Sequence, residues 1–244
     1  MPNGKRKPQP VDPREVPKVV VNRLSLYLRE LLHLLHAGHA TTSSSQLGQH
    51  LGFTDAQVRK DLAYFGHFGQ PGVGYRCEEL VQAIRGILGT DRQWTVGMVG
   101  VGNLGRALLG YKGFASQGFR IVAAFDIAPE IVGHQIDGVL VHSFDQLEAV
   151  VRQEGIELGL MTVPAGSAQQ VADRLVKAGV TGILNFAPVT LVLPNDVSLV
   201  GVDLATELQQ LCFSVASRRR AAAPEEAKLL GAEPSSRNGP ESIG

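Results

Sequence analysis

The sequence predicts an α/β chain in two parts: a small helical domain with a glycine-rich hairpin, then a parallel sheet wrapped by helices. Three observations predict it. Leucines recur at helix spacing from Leu24 to Leu35. Four glycines crowd the stretch from Gly66 to Gly74. From Trp94 onward, short apolar runs alternate with helical patterns, the signature of strands joined by crossover helices.

The chain has 244 residues, 44% of them hydrophobic and 6% aromatic. That is enough apolar material for two ordinary aliphatic cores. Formal net charge is zero, but residues 1–90 hold eleven Lys/Arg against seven Asp/Glu, and residues 91–205 hold the reverse balance, seven against eleven. A basic first half suits a polyanionic partner, although Lys5, Arg6 and Lys7 alone supply three of its charges. The two cysteines, Cys77 and Cys212, have no metal or redox spacing and read as reduced thiols. No apolar run approaches the roughly 20 residues that cross a bilayer, and the N-terminus lacks an apolar signal core. The expectation is a cytoplasmic protein.

Residues 1–13 hold four prolines and three adjacent basic residues, and are expected to form a disordered arm. A first helix is expected from about Pro17 to Gly38, with Leu24, Leu28, Leu31 and Leu35 inward. A second follows the cap-like Thr42-Ser43-Ser44-Ser45 and closes at Gly52. A third runs from Asp55 to Phe65 after Thr54, with Val58, Leu62 and Phe65 inward. The glycines from Gly66 to Gly74 demand tight turns, read as a thin hairpin or wing ending at Tyr75. A fourth helix covers 78–88. Residues 14–90 form this first domain.

In the second domain, 91–203, strands are expected at 94–100, 119–126, 139–142, 157–163, 181–186 and 198–203. Helices are expected at 103–111, 144–154 and 165–179. A final helix over 204–220 carries Leu204, Leu208, Leu211 and Val215 on one face, and residues 221–244 read as a disordered tail.

The strand starting at Trp94 enters Gly100-Val101-Gly102-Asn103-Leu104-Gly105 and then a helix. In this context the glycines are a dinucleotide fingerprint. Gly100 makes the tight turn, Gly102 lets a pyrophosphate approach the backbone, and Gly105 allows close packing of helix on strand. Asp126, 21 residues beyond Gly105, stands where an acid accepts ribose hydroxyls. It would repel a 2′-phosphate, and no Arg follows it, so NAD(H) is favoured over NADP(H). Thr162, Val163 and Pro164 end one later strand and Asn185 and Phe186 the next, where strand ends line a ligand crevice. A bare βα turn and an S-adenosylmethionine site are the rivals here.

Three short helices and a wing in some 60 residues read as a winged helix-turn-helix. Gln57, Arg59 and Lys60 stand near the start of its third helix, where side chains reach base edges and phosphates. The rival is a helical packing domain in which Arg59-Lys60-Asp61 is a solvated face.

Gln57-Val58-Arg59-Lys60-Asp61-Leu62-Ala63-Tyr64-Phe65-Gly66, then Gly72-Val73-Gly74-Tyr75, the Gly100–Gly105 loop and Gly182-Ile183-Leu184-Asn185-Phe186-Ala187-Pro188 together resemble the redox-sensing repressors named Rex. The likeness runs through roughly residues 17–215. It implies a homodimer of winged helix-turn-helix and Rossmann domains, with a domain-swapped C-terminal helix. It implies repression of transcription, release of operator DNA by NADH, and competition by NAD+. Ser44, Ser45, Gln57, Arg59, Lys60, Tyr64, Gly72 and Tyr75 are the candidate DNA-facing residues. The fingerprint residues Gly100 to Gly105, Asp126, Tyr111, Thr162 to Pro164, Asn185 and Phe186 are the candidate cofactor residues. Arg29, Tyr111 and Asp203 match a family trio that couples cofactor state to domain position, and an Arg29–Asp203 ion pair is the expected hold on the released state.

Two other classes compete. A dehydrogenase needs a proton-transfer group and a substrate pocket. His134 and His142 have no acid–base setting, and little chain follows Asp203. A CoA- or NAD-binding subunit would use the second domain alone, without DNA contacts. Neither metal ligands nor catalytic residues are expected.

Overall fold

The computed structural model describes residues 16–66, 68, 69 and 73–230, the last ten as backbone. The expected arm 1–13 and the end of the tail, 231–244, lie outside them.

Helix α1 (Lys18–His36) follows Pro17 and buries Val20, Leu24, Tyr27, Leu28, Leu31 and Leu34 along one stripe. A two-residue strand β1 (Thr41–Thr42) leads to α2 (Ser44–Leu51). Ser43 caps α2 in a capping box with Gln46, which satisfies two otherwise unpaired N–H groups. Thr54 caps α3 (Asp55–Ala63) by accepting from Gln57 N. Between α2 and α3 the chain turns tightly: a Cβ on Gly48 would lie 2.5 Å from the Phe53 carbonyl oxygen. Leu47, Val58 and Leu62 join the α1 stripe and Leu80 and Ile84 of α4 (Cys77–Leu88) in one core.

The expected wing falls partly on residues 67 and 70–72, which lie outside the described residues. Among the described residues, β2 (Tyr75–Arg76) pairs antiparallel with β1. Helix α3 stops two residues early, at Ala63.

The second domain holds β3 (Trp94–Val99), α5 (Asn103–Leu109), a short α6 (Gly113–Ser116), β4 (Phe119–Asp126), β5 (Gln135–Ile136), β6 (Val139–Ser143), α7 (Leu147–Gln153), β7 (Leu158–Met161), α8 (Ala165–Ala178), β8 (Gly182–Asn185) and β9 (Ser198–Gly201). The sheet order is β5-β6-β4-β3-β7-β8-β9. All pairs are parallel except β5 with β6. The strands therefore run outward from β3 in both directions, and the order reverses between β3 and β7. This is the Rossmann arrangement, with its ligand crevice at the switch point. One apolar layer packs α7 and α8 on the sheet through Leu147, Val151, Val171 and Leu175. The opposite layer gathers Met98, Leu109 and Val141. Helix α6 and strand β5 were not foreseen, being too short to show a period.

Helix α9 (Leu204–Leu230) extends ten residues past the expected end near Arg220. Ala221-Ala222-Ala223 and the Glu/Ala/Lys/Leu run after Pro224 are strong helix formers. Leu204, Leu208, Leu211 and Phe213 are all more than half exposed on α9. Val96, Ile121, Leu158, Leu160, Leu184 and Val200 line an almost wholly apolar depression of about 380 Å³ on the sheet.

Candidate functional site

At the C-terminal ends of β3, β4 and β7 lies an open crevice of about 810 Å³. Its floor is the glycine loop. Gly100 has φ +92°, a left-handed conformation that disfavours side chains. Its N–H donates to Phe125 O at 2.9 Å. Its carbonyl accepts from Thr162 Oγ1 at 2.6 Å. The turn is thus fixed from β4 on one side and from the end of β7 on the other. Gly105 packs against Gly100 so closely that a Cβ would strike the Gly100 carbonyl oxygen, whereas a Cβ on Gly102 would meet nothing within 4 Å. The two glycines serve opposite ends: one closes helix onto strand, the other leaves open space in front of the backbone.

Asp126 ends β4 beside this loop. Its Oδ2 accepts from Val101 N at 2.6 Å, and its Oδ1 accepts from Ile127 N at 2.7 Å and Ala128 N at 2.9 Å. A carboxylate offers about four lone-pair sites, so three are already taken and one is left. Arg106 Nε adds a bond to Val101 O at 3.2 Å, stiffening the same loop.

Of the sequence candidates, Gly100, Gly102, Leu104, Asp126, Thr162, Val163, Pro164 and Phe186 line the crevice. Val101 is buried, and its N–H serves Asp126. Asn103 begins α5. Asn185 does not face the crevice. It is 2% exposed, donates to the carbonyls of Ala187 and Val189 and accepts from Ala187 N, which folds the loop after β8. Tyr111 also stands elsewhere: its ring meets Phe114 edge-on at 5.1 Å beside a separate depression.

The sequence reading missed Phe144, Asp145, Ser167, Gln170 and Arg174, which complete the crevice wall. Phe144 and Asp145 follow the end of β6, so the strand-end rule applied to that strand points to them. Ser167, Gln170 and Arg174 share one face of α8 by helix spacing. Arg174 donates two bonds to Glu148 at 2.8 and 2.6 Å and lies 4.2 Å over the Phe144 ring. The hydrogen bonds from Arg174 pull the Glu148 carboxyl down to about 2 despite partial burial.

On the first domain, Arg59 and Lys60 are exposed on α3. Arg59 Nη1 donates to Asp55 Oδ2 at 2.7 Å and to Ser44 Oγ at 3.1 Å, which joins α3 to the start of α2. Ser45 is exposed and Ser44 half-buried on that same start. Tyr64 is half-buried just after α3. Tyr75 is buried in the core, and burial pushes its hydroxyl pKa up even though Ser44 hydrogen-bonds to it. Gly72 lies outside the described residues.

Asp61 is not on a solvated face: it is 1% exposed. Arg23 Nε and Nη2 donate to it at 2.5 and 2.8 Å, Tyr27 OH at 2.8 Å and Gln57 Nε2 at 2.7 Å. Burial alone would raise its pKa, but these bonds outweigh burial and hold it below the usual carboxylate range. The same burial and the bond to Asp61 push Tyr27 well above the usual phenol range.

Asp203 caps α9, accepting from Ala205 N at 2.9 Å and Thr206 Oγ1 at 3.0 Å. The hydrogen bond from Thr206 is the chief cause of its lowered pKa. Arg29 is exposed on α1. The expected Arg29–Asp203 pair is not made within the chain among the described residues, because the Asp203 carboxylate is turned into its own helix.

The family described as CoA binding domain matches residues 91–189. The family described as putative DNA-binding protein N-terminus matches residues 15–63. A redox-sensing transcriptional repressor Rex from Roseiflexus sp. (strain RS-1) is 45% identical over 202 residues, covering 83% of this chain and 92% of that protein. The Rex of Carboxydothermus hydrogenoformans is 48% identical over 201 residues, 82% of this chain and 97% of that one. Among solved structures, the Rex-family repressor RSP in complex with β-NAD+ and operator DNA superposes with a TM-score of 0.77 at 37% identity, covering 90% of this chain and 99% of that chain. RSP in complex with β-NADH gives 0.75 at 35% identity, covering 88% and 99%. With relatives this similar along both domains, the chain belongs to the Rex family of redox-sensing transcriptional repressors.

Proposed function

We propose that this chain represses transcription as a homodimer, holds operator DNA through its two helix-turn-helix domains, and lets go when NADH fills the Rossmann crevice. The observation that carries the reading is the pairing, in one chain, of a glycine loop fixed to Asp126 with an α3 that presents Arg59 and Lys60. The repressor RSP, solved with β-NAD+ and operator DNA and with β-NADH, supports both ligands.

In this reading Gly102 leaves room for the pyrophosphate, and the free lone pair of Asp126 takes a ribose hydroxyl. Thr162, Val163, Pro164 and Phe186 frame the rest of the cofactor, with Phe144 and Arg174 on the far wall. No described helix is long and apolar enough to cross a membrane. The curated relatives are named as transcriptional repressors, which supports a cofactor that acts as a sensed ligand rather than as a hydride donor to a substrate.

Two exposed apolar surfaces support a second copy. Leu204, Leu208 and Leu211 stand exposed on α9, and the sheet depression around Leu158 and Val200 is apolar. Burying one against the other, each chain lending α9 to its partner, removes both from water.

NADH differs from NAD+ by a hydride and by loss of the ring's positive charge. A switch works only through contacts that differ between the two forms, and an uncharged ring buries at lower desolvation cost. Tyr111, if it gates the ring, must first leave Phe114. Arg29 and Asp203 pair, on this reading, only when domain closure brings them together. Half-sites one helical turn apart tolerate little misalignment, so a modest rotation of the two α3 helices loses phosphate and base contacts.

The test is a gel shift on genomic fragments with NADH and NAD+ titrated separately. NADH is expected to release the duplex and NAD+ to oppose release. Equal retention at every NADH:NAD+ ratio would overturn the reading. NADH consumption with 2-oxo acids, expected to be absent, would favour the dehydrogenase class.

A further inference from the structure

Asp61 spends every lone pair on the interior. Two of its bonds come from Arg23 and one from Tyr27, both on α1, and the fourth comes from Gln57, one turn back on α3. A buried carboxylate with four donors is fully satisfied. The set fixes the rotation of α3 about its own axis, because any turn of the helix breaks bonds to a different helix.

The bond to Gln57 has a further consequence. Gln57 stands at the third position of α3, where recognition helices reach base edges. Its carboxamide nitrogen is turned to Asp61, and its Oε1 has no partner among the described residues. An amide nitrogen that gives one N–H to Asp61 keeps a second. The half-buried side chain is thereby left with a flat edge of one acceptor and one donor. That edge complements adenine in the major groove, where N6–H donates and N7 accepts.

We propose that Gln57 reads an adenine in each operator half-site, and that Asp61 is the positioning residue that holds the Gln57 carboxamide in its reading orientation. This rests on the repressor reading above. Arg59 and Lys60 supply phosphate attraction, which is blind to sequence. The Gln57–Asp61 pair adds discrimination at one position.

The experiment uses the full chain with NAD+ and duplexes selected from a random pool on the wild-type protein. Each adenine of the selected duplex is replaced in turn by purine, which lacks only the N6 amino group. Binding is measured by anisotropy for wild type, Gln57→Ala, Asp61→Asn and the double variant. For wild type, one position per half-site is expected to lose about tenfold on replacement. Gln57→Ala is expected to bind parent and purine duplexes alike at that position. Asp61→Asn is expected to shrink the ratio there while leaving the slope of log affinity against log salt unchanged, since the phosphate contacts remain. In the Gln57→Ala background it is expected to change the ratio no further.

Wild-type discrimination surviving in Gln57→Ala at every position would overturn the proposal. A uniform loss in Asp61→Asn across all duplexes, equal with or without Gln57, would overturn its positioning half. If Asp61→Asn fails to fold, Tyr27→Phe removes one of the four bonds and is expected to lower the same ratio; an unchanged ratio overturns the positioning half. A wild-type chain that selects no duplex would sink the repressor reading itself, a failure visible before any variant is made.

Discussion

The Asp126 carboxylate, at the end of β4, accepts a 2.6 Å hydrogen bond from the backbone N–H of Val101, inside the glycine loop that ends β3. The acid that would recognise the ribose therefore also shapes the turn that would receive the pyrophosphate. Asp126→Ala should act twice. It leaves the buried Val101 N–H unpaired, a penalty of about 1–3 kcal/mol in stability. It also deletes the proposed ribose acceptor and the charge that would repel a 2′-phosphate. Fluorescence titration should show weaker NADH binding and a narrower preference for NADH over NADPH. An unchanged preference would remove Asp126 from the specificity role.

Gly102 and Gly105 should separate folding from binding. Gly102 has φ −72° and empty space where a Cβ would stand. Gly102→Ala should melt like wild type and bind NADH at least about tenfold more weakly, because the methyl would stand in the proposed path of the pyrophosphate. Gly105→Ala forces a methyl into the Gly100 carbonyl and should lower stability by about 1–3 kcal/mol. Thermal melts paired with NADH titrations check both. Normal binding in Gly102→Ala would mean that the cofactor does not cross the glycine loop.

The α9 stripe predicts an assembly. Leu208→Glu with Leu211→Glu places two charges where the sheet groove of a second copy would lie, and a buried unpaired charge is strongly disfavoured. Sedimentation is expected to show a dimer for the wild-type chain and a monomer for the double variant, with operator binding lost. A double variant that remains dimeric would show that the stripe is not the interface.

Asp61 predicts the pH dependence of the first domain. Its folded pKa lies below the ordinary carboxylate value. Its contribution is thus fully present above the unfolded pKa of about 3.9 and disappears as pH falls through the folded value. At neutral pH, Asp61→Asn should destabilise by about 3–5 kcal/mol, since it leaves Arg23 without its counter-charge. Urea unfolding from pH 7 to pH 3 should show the gap between wild type and variant narrowing below about pH 4. A gap that widens in acid would contradict the network as described.

The local grammar of the chain determined most of its architecture. Apolar period, caps and glycines are short-range signals, so α1, α3, β3, β4, β6 to β9 and the Gly100–Gly105 loop lie within a residue or two of where the sequence put them. The same short range explains Asp126: its spacing from Gly105 is set by one helix and one strand. Packing across the fold decided the rest. Asp61 looks like a surface charge in sequence, and only the approach of Arg23 and Tyr27, from 38 and 34 residues away, buries and pairs it. Asn185 reads as a strand-end ligand residue, yet the loop that follows turns back and claims its amide. Phe144 and Arg174 become one wall of the crevice only when α8 folds over the end of β6. Local propensity is written along the chain, but burial and partner choice depend on residues distant in sequence, and only the closed three-dimensional packing assigns them.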